Sequence, residues 1–343
     1  MTKTVRVGIV GAGLIGDKRA SSICQTHQGK LVAVADSNVA VAEAFAAHYD
    51  TDALRSWQAL VSRADVDAVV VAVPNAYVAE IVLAALRNGK HVLCEKPFGI
   101  SSAESIKMQK AAVKAGKVVK VGFNHRFHAA ILKAHELLKK GAIGDVLFVR
   151  ARYGHGGRKG MEKEWRFNRS ISGGGELLDQ GVHIIDLARW FAGDFKTAYG
   201  LAQTKFWDTK VDDNSFGLLK NDTVTLEFHV STTNWKNIFS FEVFGSLGYL
   251  QIDGKGGSYG EETLIYGKRR LEFGVPTLKH YSFRAGDRSW NLEWKNFIDA
   301  IQGKNALCGD ALDGANANLV VEALYKSSAS GHEVAIRPLR QSE

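Results

Sequence analysis

The sequence predicts an α/β protein in two parts: a doubly wound parallel sheet over residues 1–123, then an α+β domain over 124–343 with a mostly antiparallel sheet. Its 343 residues suffice for two domains of ordinary size. Up to about residue 122, short runs that are almost wholly apolar alternate with helical stretches. Strands apolar on both faces belong in a parallel sheet covered on both sides. After about 125 the texture changes. Val224, Leu226, Phe228 and Val230 alternate with Thr223, Thr225, Glu227 and His229, the two-residue period of a half-buried antiparallel strand.

The elements follow in order. Residues 5–10 (VRVGIV) read as a buried strand that leads through Gly11-Ala12-Gly13-Leu14-Ile15-Gly16 into a helix reaching about Cys24. Strand 31–35 ends at Asp36, and helices over 39–48 and 56–62 precede a third apolar strand, 67–73, stopped by Pro74-Asn75. Helix 76–88 closes at Gly89, a residue type that favours the left-handed C-cap. Strand 91–94, helix 102–115 closing at Gly116, and strand 117–122 complete the first part. A helix over 128–140 and a strand over 146–153 open the second. Residues 200–285 read as a meander with one packed and one open face, Gly245 and Gly248 separating two of its strands. Trp290, Trp294, Phe297 and Ile301 mark an amphipathic helix, and 311–328 another.

Composition excludes several function classes. No run of about eighteen apolar residues occurs, so no membrane span is expected. Cys24, Cys94 and Cys308 are too few and too scattered for a disulfide framework or a zinc site, which points to a reducing, cytoplasmic setting and no metal. The net charge of +8 is concentrated in two places. Lys107, Lys110, Lys114, Lys117 and Lys120 follow one helix and its exit, as on a solvated face. Arg150, Arg152, Arg158, Lys159, Lys163, Arg166 and Arg169 crowd one segment that holds only Glu162 and Glu164 as counter-charges. Such a cluster suits a small anion better than a nucleic-acid surface. It reads either as an anion site or as the flank of an exposed loop or oligomer contact.

Gly11, Gly13 and Gly16 occupy the three positions of GxGxxG between a strand and a helix. The first allows a tight turn, the second close approach of pyrophosphate, and the third packing of helix on strand. The helix N-terminus then offers N–H donors and a positive dipole end to phosphate oxygens. Asp36, twenty residues beyond Gly16, stands where a carboxylate binds the adenosine ribose hydroxyls. It would repel a 2′-phosphate, and Ser37-Asn38 bring no arginine, so NAD is expected rather than NADP.

Two further stretches carry chemistry. In HVLCEKP (91–97), Glu95-Lys96-Pro97 follows a strand at the carboxyl end, where open parallel sheets hold their ligands. In SGGGELLDQGVH (172–183), a glycine run feeds a helix on which Asp179 and His183 are four apart and share a face. Asp186 would either orient the imidazole or cap the polar face. Titratable groups so placed suit general acid/base catalysis, histidine most of all because it titrates near neutral pH.

With these motifs in place, the chain resembles the glucose-fructose oxidoreductase/inositol dehydrogenase/MocA (Gfo/Idh/MocA) family. GAGLIG, Asp36, Pro74-Asn75, Glu95-Lys96-Pro97, GFNHRF (122–127), Trp165-Arg166, GGGELLDQGVH and EALYKSSASG (322–331) stand in the family's order over nearly the whole chain. The resemblance implies a Rossmann domain and a C-terminal domain whose large, open-faced sheet builds homodimers or homotetramers. The final segment is expected to be able to pack back on the Rossmann domain. It implies an NAD-dependent oxidoreductase acting on a hydroxyl carbon of a sugar, cyclitol or related polyol. Lys96 would contact the reacting hydroxyl and the nicotinamide ribose, while Asp179 and His183 would bind and deprotonate the substrate.

The expected cofactor contacts are Gly11, Gly13, Leu14, Ile15, Gly16, Asp36, Ser37, Val73, Pro74, Asn75, Glu95, Lys96, Trp165 and Arg166. Asn124, His125, His155 and Arg158 join Lys96, Asp179 and His183 as expected substrate contacts. The basic segment suggests a nucleotide sugar or uronate, and a neutral sugar or inositol stays open. Arg19 departs from the family, many of whose members have histidine there. Relatives that use NAD for redox-assisted glycoside cleavage, or that have become NAD-sensing regulators, supply the alternative functions.

Overall fold

A computed structural model of the chain describes residues 4–340, so the expected domain limits at 1 and 343 lie outside the described residues. It divides into two compact units. The first reaches to Asn124 and takes in Trp290–Ala315, and the second comprises His125–Ser289 and Asn316–Leu339.

The first unit alternates strand and helix: β1 (Arg6–Val10), α1 (Leu14–Thr26), β2 (Lys30–Ala35), α2 (Val39–Tyr49), β3 (Asp52–Leu54), α3 (Trp57–Ser62), β4 (Ala68–Val71), α4 (Val78–Arg87), β5 (His91–Cys94), α5 (Ser102–Ala115) and β6 (Val119–Val121). Its strands pair in parallel in the order β3-β2-β1-β4-β5-β6. The order reverses between β1 and β4, which opens a ligand crevice beyond their carboxyl ends. The edge strand β3 is absent from the sequence-based reading because DAL is short and scarcely buried. Helix starts follow local chemistry. Asn38 accepts hydrogen bonds from the N–H groups of Ala40 and Val41. Ser101 caps the Glu104 N–H, and the Glu104 carboxylate reaches back to accept from the Ile100 N–H, one residue before the cap, at 2.9 Å.

Residues 290–315 lie in the first unit rather than with the rest of the C-terminal half. The physical reason is apolar burial. Trp294, Phe297 and Ile298 are buried in the core formed by Val5, Val7, Ile9, Ile23 and Leu31. The Trp294 indole donates to the Gln28 carbonyl at 2.6 Å.

The second unit begins with α6 (Ala129–Lys139) and β7 (Val146–Gly154), then α7 (Arg169–Ser172) and α8 (Val182–Ala192). Strands β8 (Thr197–Gln203), β9 (Asn214–Lys220), β10 (Thr225–Ser231), β11 (Ile238–Gly245), β12 (Gly248–Asp253), β13 (Glu262–Lys268) and β14 (Thr277–Phe283) follow. Helix α9 (Ser289–Ile301) leads back to the first unit, and α10 (Ala311–Ser330) and β15 (Val334–Ala335) close the chain. The nine strands run β14-β13-β12-β11-β7-β10-β9-β8-β15, which corrects the expected simple meander. β7 separates β10 from β11 and pairs in parallel with β10, so the hydrogen bonds at the centre of the sheet come from a strand far away in sequence. One face is packed: Val149, Ala151, Leu226, Phe228, Val230, Phe241 and Val243 are buried. Phe148 on β7, Tyr199 and Leu201 on β8, and Phe216 and Leu218 on β9 stay exposed. Among the described residues, no helix is long and apolar enough to cross a membrane.

Candidate active site

The nucleotide end of the first unit is built largely from backbone. Gly11 has φ +100°, and a Cβ there would lie 2.2 Å from the Ala72 carbonyl, so only glycine lets the loops after β1 and β4 touch. A Cβ at Gly16 would fall 1.9 Å from the Gly11 carbonyl. Gly13 differs: nothing lies within 4 Å of the space its Cβ would take. That open space stands over the start of α1, where Gly13 is the N-cap and no side chain caps the first turn. Space and N–H donors together fit a pyrophosphate. Leu14, the next residue, is 73% exposed, unusual for a leucine opening a buried helix.

Asp36 is half-buried at the end of β2. One carboxylate oxygen accepts from the Ala12 N–H at 2.8 Å and the other from the Asn38 N–H at 2.9 Å. It therefore braces the glycine loop, and the oxygen bonded to Ala12 keeps a lone pair for a ribose hydroxyl. Ser37 is exposed beside it, Val73 and Pro74 follow β4, and Asn75 is buried in a short 3₁₀ turn.

Glu95 and Lys96 follow β5, and the Lys96–Pro97 peptide is cis. Lys96 is half-buried. Glu95 has a structural partner that its expected cofactor role does not include. Arg19, fully buried, donates to Glu95 at 2.6 Å and to Glu293 at 2.6 Å, and its guanidinium lies 4.5 Å from the Trp290 ring centroid. Burial pushes the Glu95 carboxyl up while Arg19 pulls it down, and the net result is above the usual carboxylate range. Burial alone would lower Arg19, but its two carboxylates outweigh that and raise it. Arg19 is thus the centre of a buried ion-pair network. Gly122 makes room for it, since a Cβ there would lie 2.8 Å from Glu95 and 2.9 Å from Arg19.

In the second unit the expected regular helix starts differently. Leu177–Gly181, which carries Asp179, is π-helical, and only from Val182 onward is the segment α-helical. The cause is Asp212, whose carboxylate accepts from the N–H groups of Gly175 (3.0 Å) and Leu177 (2.8 Å) while its carbonyl accepts from Glu176 N–H (2.8 Å). Tyr325 donates to the same carboxylate at 2.6 Å. A Cβ at Gly175 would lie 2.0 Å from the Asp212 carbonyl, so the glycine run serves this close approach. Widened π turns of this kind are frequent at functional sites. Asp186 is buried and holds Arg126 through two contacts at 2.5 and 2.8 Å.

Around His183, itself buried, stand groups from several elements. His125 meets its ring edge-on with centroids 3.8 Å apart, and Tyr153 lies at 6.3 Å. Lys255, which the sequence reading passed over, donates to His125 Nε2 at 2.7 Å and to the Tyr153 hydroxyl at 2.8 Å. Burial pushes the Tyr153 hydroxyl well above its ordinary range, reinforced by Tyr259, Glu176 and Asp179. Burial likewise pushes Tyr259 up to about 12. His155 accepts the Gly157 N–H at 3.0 Å on Nδ1, and burial holds its basicity below normal although Asp179 opposes this.

Three arginines of the basic segment stand beside carboxylates. Arg150 pairs with Glu227 at 2.9 Å, Arg158 with Glu164 at 2.6 Å, and Arg166 approaches Asp179 at 3.8 Å and Glu164 at 4.0 Å. Trp165 carries the Arg166 guanidinium 4.6 Å from its ring centroid.

Comparison with known proteins agrees with this architecture. Residues 5–123 match the model of an oxidoreductase family with an NAD-binding Rossmann fold, and residues 131–251 match the GFO/IDH/MocA C-terminal domain. D-glucoside 3-dehydrogenase of Escherichia coli (strain K12) is 31% identical over 354 residues, covering 96% of this chain and 97% of that protein. The chain belongs to the Gfo/Idh/MocA family. Another relative, inositol 2-dehydrogenase 2 of Saccharopolyspora erythraea, is 29% identical over 96% of this chain and 94% of its own length. A solved levoglucosan dehydrogenase, in complex with NADH and levoglucosan, superposes with a TM-score of 0.90 at 23% identity, covering 98% of this chain and 100% of that one.

As a Gfo/Idh/MocA protein the chain is an NAD-binding oxidoreductase. Of the expected site residues, Gly11, Gly16, Asp36, Val73, Pro74, Asn75, Glu95, Lys96 and Asn124 belong to the first unit. His125, His155, Arg158, Trp165, Arg166, Asp179 and His183 belong to the second. Lys255, Tyr153 and Tyr259 were not among the expected site residues, yet they stand in the cluster around His125 and His183. Gly254-Lys255-Gly256-Gly257 offered one signal: a lone cation held between glycines just after a strand.

Proposed function

We propose that this protein oxidises a secondary ring hydroxyl of a neutral sugar or cyclitol, and reduces the ketone in reverse, with NAD as the hydride carrier. Supporting the reaction is the grouping of His183 with His125, Tyr153 and Asp179-bearing π turn on a family scaffold that binds NAD. Relatives named for glucosides and inositol point to the same substrate class. NAD, when bound, would supply the hydride acceptor. Gly11, Gly13, Leu14, Ile15 and Gly16 would hold the pyrophosphate, with Asp36 and Ser37 on the ribose and Val73, Pro74 and Asn75 beside the first turn. His183 takes the hydroxyl proton, Asp179 binds and orients the substrate, and Lys96 stabilises the alkoxide as it forms. Asn124 and His155 contribute further substrate contacts.

Neutrality of the substrate is supported by charge pairing: Arg150, Arg158 and Arg166 already face Glu227, Glu164 and Asp179. The open face of the sheet, with Tyr199, Leu201, Phe216 and Leu218 exposed, supports assembly into a homodimer or homotetramer. That Cys24, Cys94 and Cys308 form no disulfide among the described residues fits a reducing, cytoplasmic setting.

The test is absorbance at 340 nm with NAD and a panel of free sugars, glycosides, inositols, uronates and nucleotide sugars. NADH formed with a neutral member is the expected result. Turnover confined to uronates or nucleotide sugars would overturn the neutral-substrate reading. Glycoside cleavage without net NADH would replace dehydrogenation by redox-assisted hydrolysis. Light scattering of the eluting protein checks the assembly, and a monomer would refute it.

A further inference from the structure

Lys255 sits in a loop shaped to aim it inward. Gly254, Gly256 and Gly257 all have positive φ, and a Cβ at Gly254 would lie 2.1 Å from the Glu261 carbonyl. The ammonium rests 4.2 Å from the Tyr153 ring centroid and 4.3 Å from that of Tyr259, a favourable place for a cation. An ammonium only donates, so His125 Nε2 must accept. A neutral His125 ring then carries its proton on Nδ1. That ring contacts His183 edge-on at 3.8 Å between centroids, so a single imidazole separates the cation from the proposed base.

The surrounding charges explain why a cation is needed. Asp179 and Glu176, from the π turn and the residue before it, both act on Tyr153, and Asp179 acts on His155. These carboxylates favour a protonated imidazole, which cannot accept a proton from substrate. Tyr153 and Tyr259 are neutral near pH 7, since a phenol ordinarily titrates at about 10 and burial raises both hydroxyls further. His128, stacked on His125 at 5.6 Å, is paired with Glu262 at 3.2 Å. Arg166 and Arg158 add positive charge from the far side of His155, and Arg166 is drawn to Asp179. Lys255 touches His125 directly, and His125 in turn meets His183.

We propose that Lys255 is a positioning residue: it fixes His125 as the Nδ1–H tautomer and opposes protonation of His183, so that His183 remains a competent base at neutral pH. Its consequence for rate rests on the proposed dehydrogenase reaction; its effect on the histidines does not. The test compares Lys255→Met and Lys255→Arg in the full-length protein by two measurements. The first is the pH dependence of kcat/KM with the sugar that the wild type oxidises. Losing a charge at this range moves the acid limb upward by about one pH unit in Lys255→Met, while Lys255→Arg keeps it near the wild-type position. The second is NMR of ¹⁵N-histidine-labelled protein without substrate, the His183 signal being assigned by its loss in His183→Gln. The His183 titration midpoint rises in Lys255→Met, and His125 ceases to show the single Nδ1–H form. An unmoved His183 midpoint with an unchanged His125 tautomer in folded Lys255→Met would overturn the proposal. Should Lys255→Met fail to fold, Lys255→Gln serves the same two readouts. A wild type that oxidises no sugar would sink the dehydrogenase reading, while the NMR measurement would still decide the role of Lys255.

Discussion

The nucleotide end of the first unit and the histidine cluster of the second are built on opposite principles. The first is a matter of backbone: glycines that allow close approach, uncapped N–H groups at α1, and one carboxylate, Asp36, bonded to Ala12 N–H. Its residues are close in sequence, because one strand–turn–helix unit makes the cradle. The second is a matter of side chains from scattered positions. His125, Tyr153, His183 and Lys255 span 130 residues from first to last, as the Lys255–His125 contact shows. A backbone cradle tolerates many side chains around it, whereas the cluster depends on which groups meet.

That contrast can be broken most sharply at Lys96. Lys96→Met is expected to lower kcat by about 10²–10³-fold, the range for removing one group that stabilises developing negative charge. NAD affinity, read by fluorescence titration, should stay within a few fold. Surviving turnover would mean that the lysine is not part of the chemistry.

Two glycines sharpen the comparison next, because they separate folding from binding. Gly11→Ala places a methyl 2.2 Å from the Ala72 carbonyl at φ +100°, and a loss on the order of 3 kcal/mol in urea unfolding is expected. Gly13→Ala meets nothing within 4 Å, so its unfolding midpoint should match the wild type. Its methyl would instead occupy ligand space and weaken NAD binding by about tenfold, or roughly 1.4 kcal/mol. Equal NAD affinity in Gly13→Ala would place the pyrophosphate elsewhere.

Asp36→Ala should narrow the preference for NAD over NADP, measured as the ratio of kcat/KM values. It should also cost on the order of 1 kcal/mol in stability, since Asp36 accepts hydrogen bonds from both Ala12 and Asn38. Unchanged selectivity would leave Asp36 only as a brace.

The smallest effect is shared by both units. Burial holds His91 in the first and His135 in the second down to about 4. His91 Nδ1 also accepts the Val118 N–H at 3.1 Å, a bond lost on protonation. Between about pH 6.5 and 4 the unfolded chain binds these protons and the folded one does not, so stability is fully present above about 6.5. It declines as pH falls through that window, on the order of 1 kcal/mol for each histidine after allowance for partial exposure. Urea midpoints measured from pH 7.5 to 4.5 should show the decline, and His91→Gln should make it shallower. A flat profile would show that these rings are not held neutral by the fold.

Much of the architecture was legible from the chain. Strand and helix periodicity located most elements of both units to within a few residues, and GAGLIG identified the cofactor turn, because these signals are local. The sheet order of the second unit was not legible: β7 pairs with β10 and β11 across long separations, and no short-range pattern encodes such a partner. The π turn at Leu177–Gly181 was missed for a related reason. It is imposed by Asp212, thirty-five residues after Leu177, whose carboxylate holds the helix start. Glu95 looked like a cofactor contact, yet its buried partner, Arg19, came from a different motif.

By itself, then, the sequence determined the class of cofactor, the parallel sheet of the first unit, and the positions of Lys96, Asp179 and His183, the groups proposed to carry the reaction. Each depends on residue type and near-neighbour spacing. Only tertiary structure decided what surrounds those groups: Arg19 buried between two glutamates, the arginines of the basic segment facing carboxylates, and Lys255 placed against His125. The physical reason is that protonation and affinity are set by charges and donors within a few ångströms in space, and the chain brings those together from positions far apart in sequence.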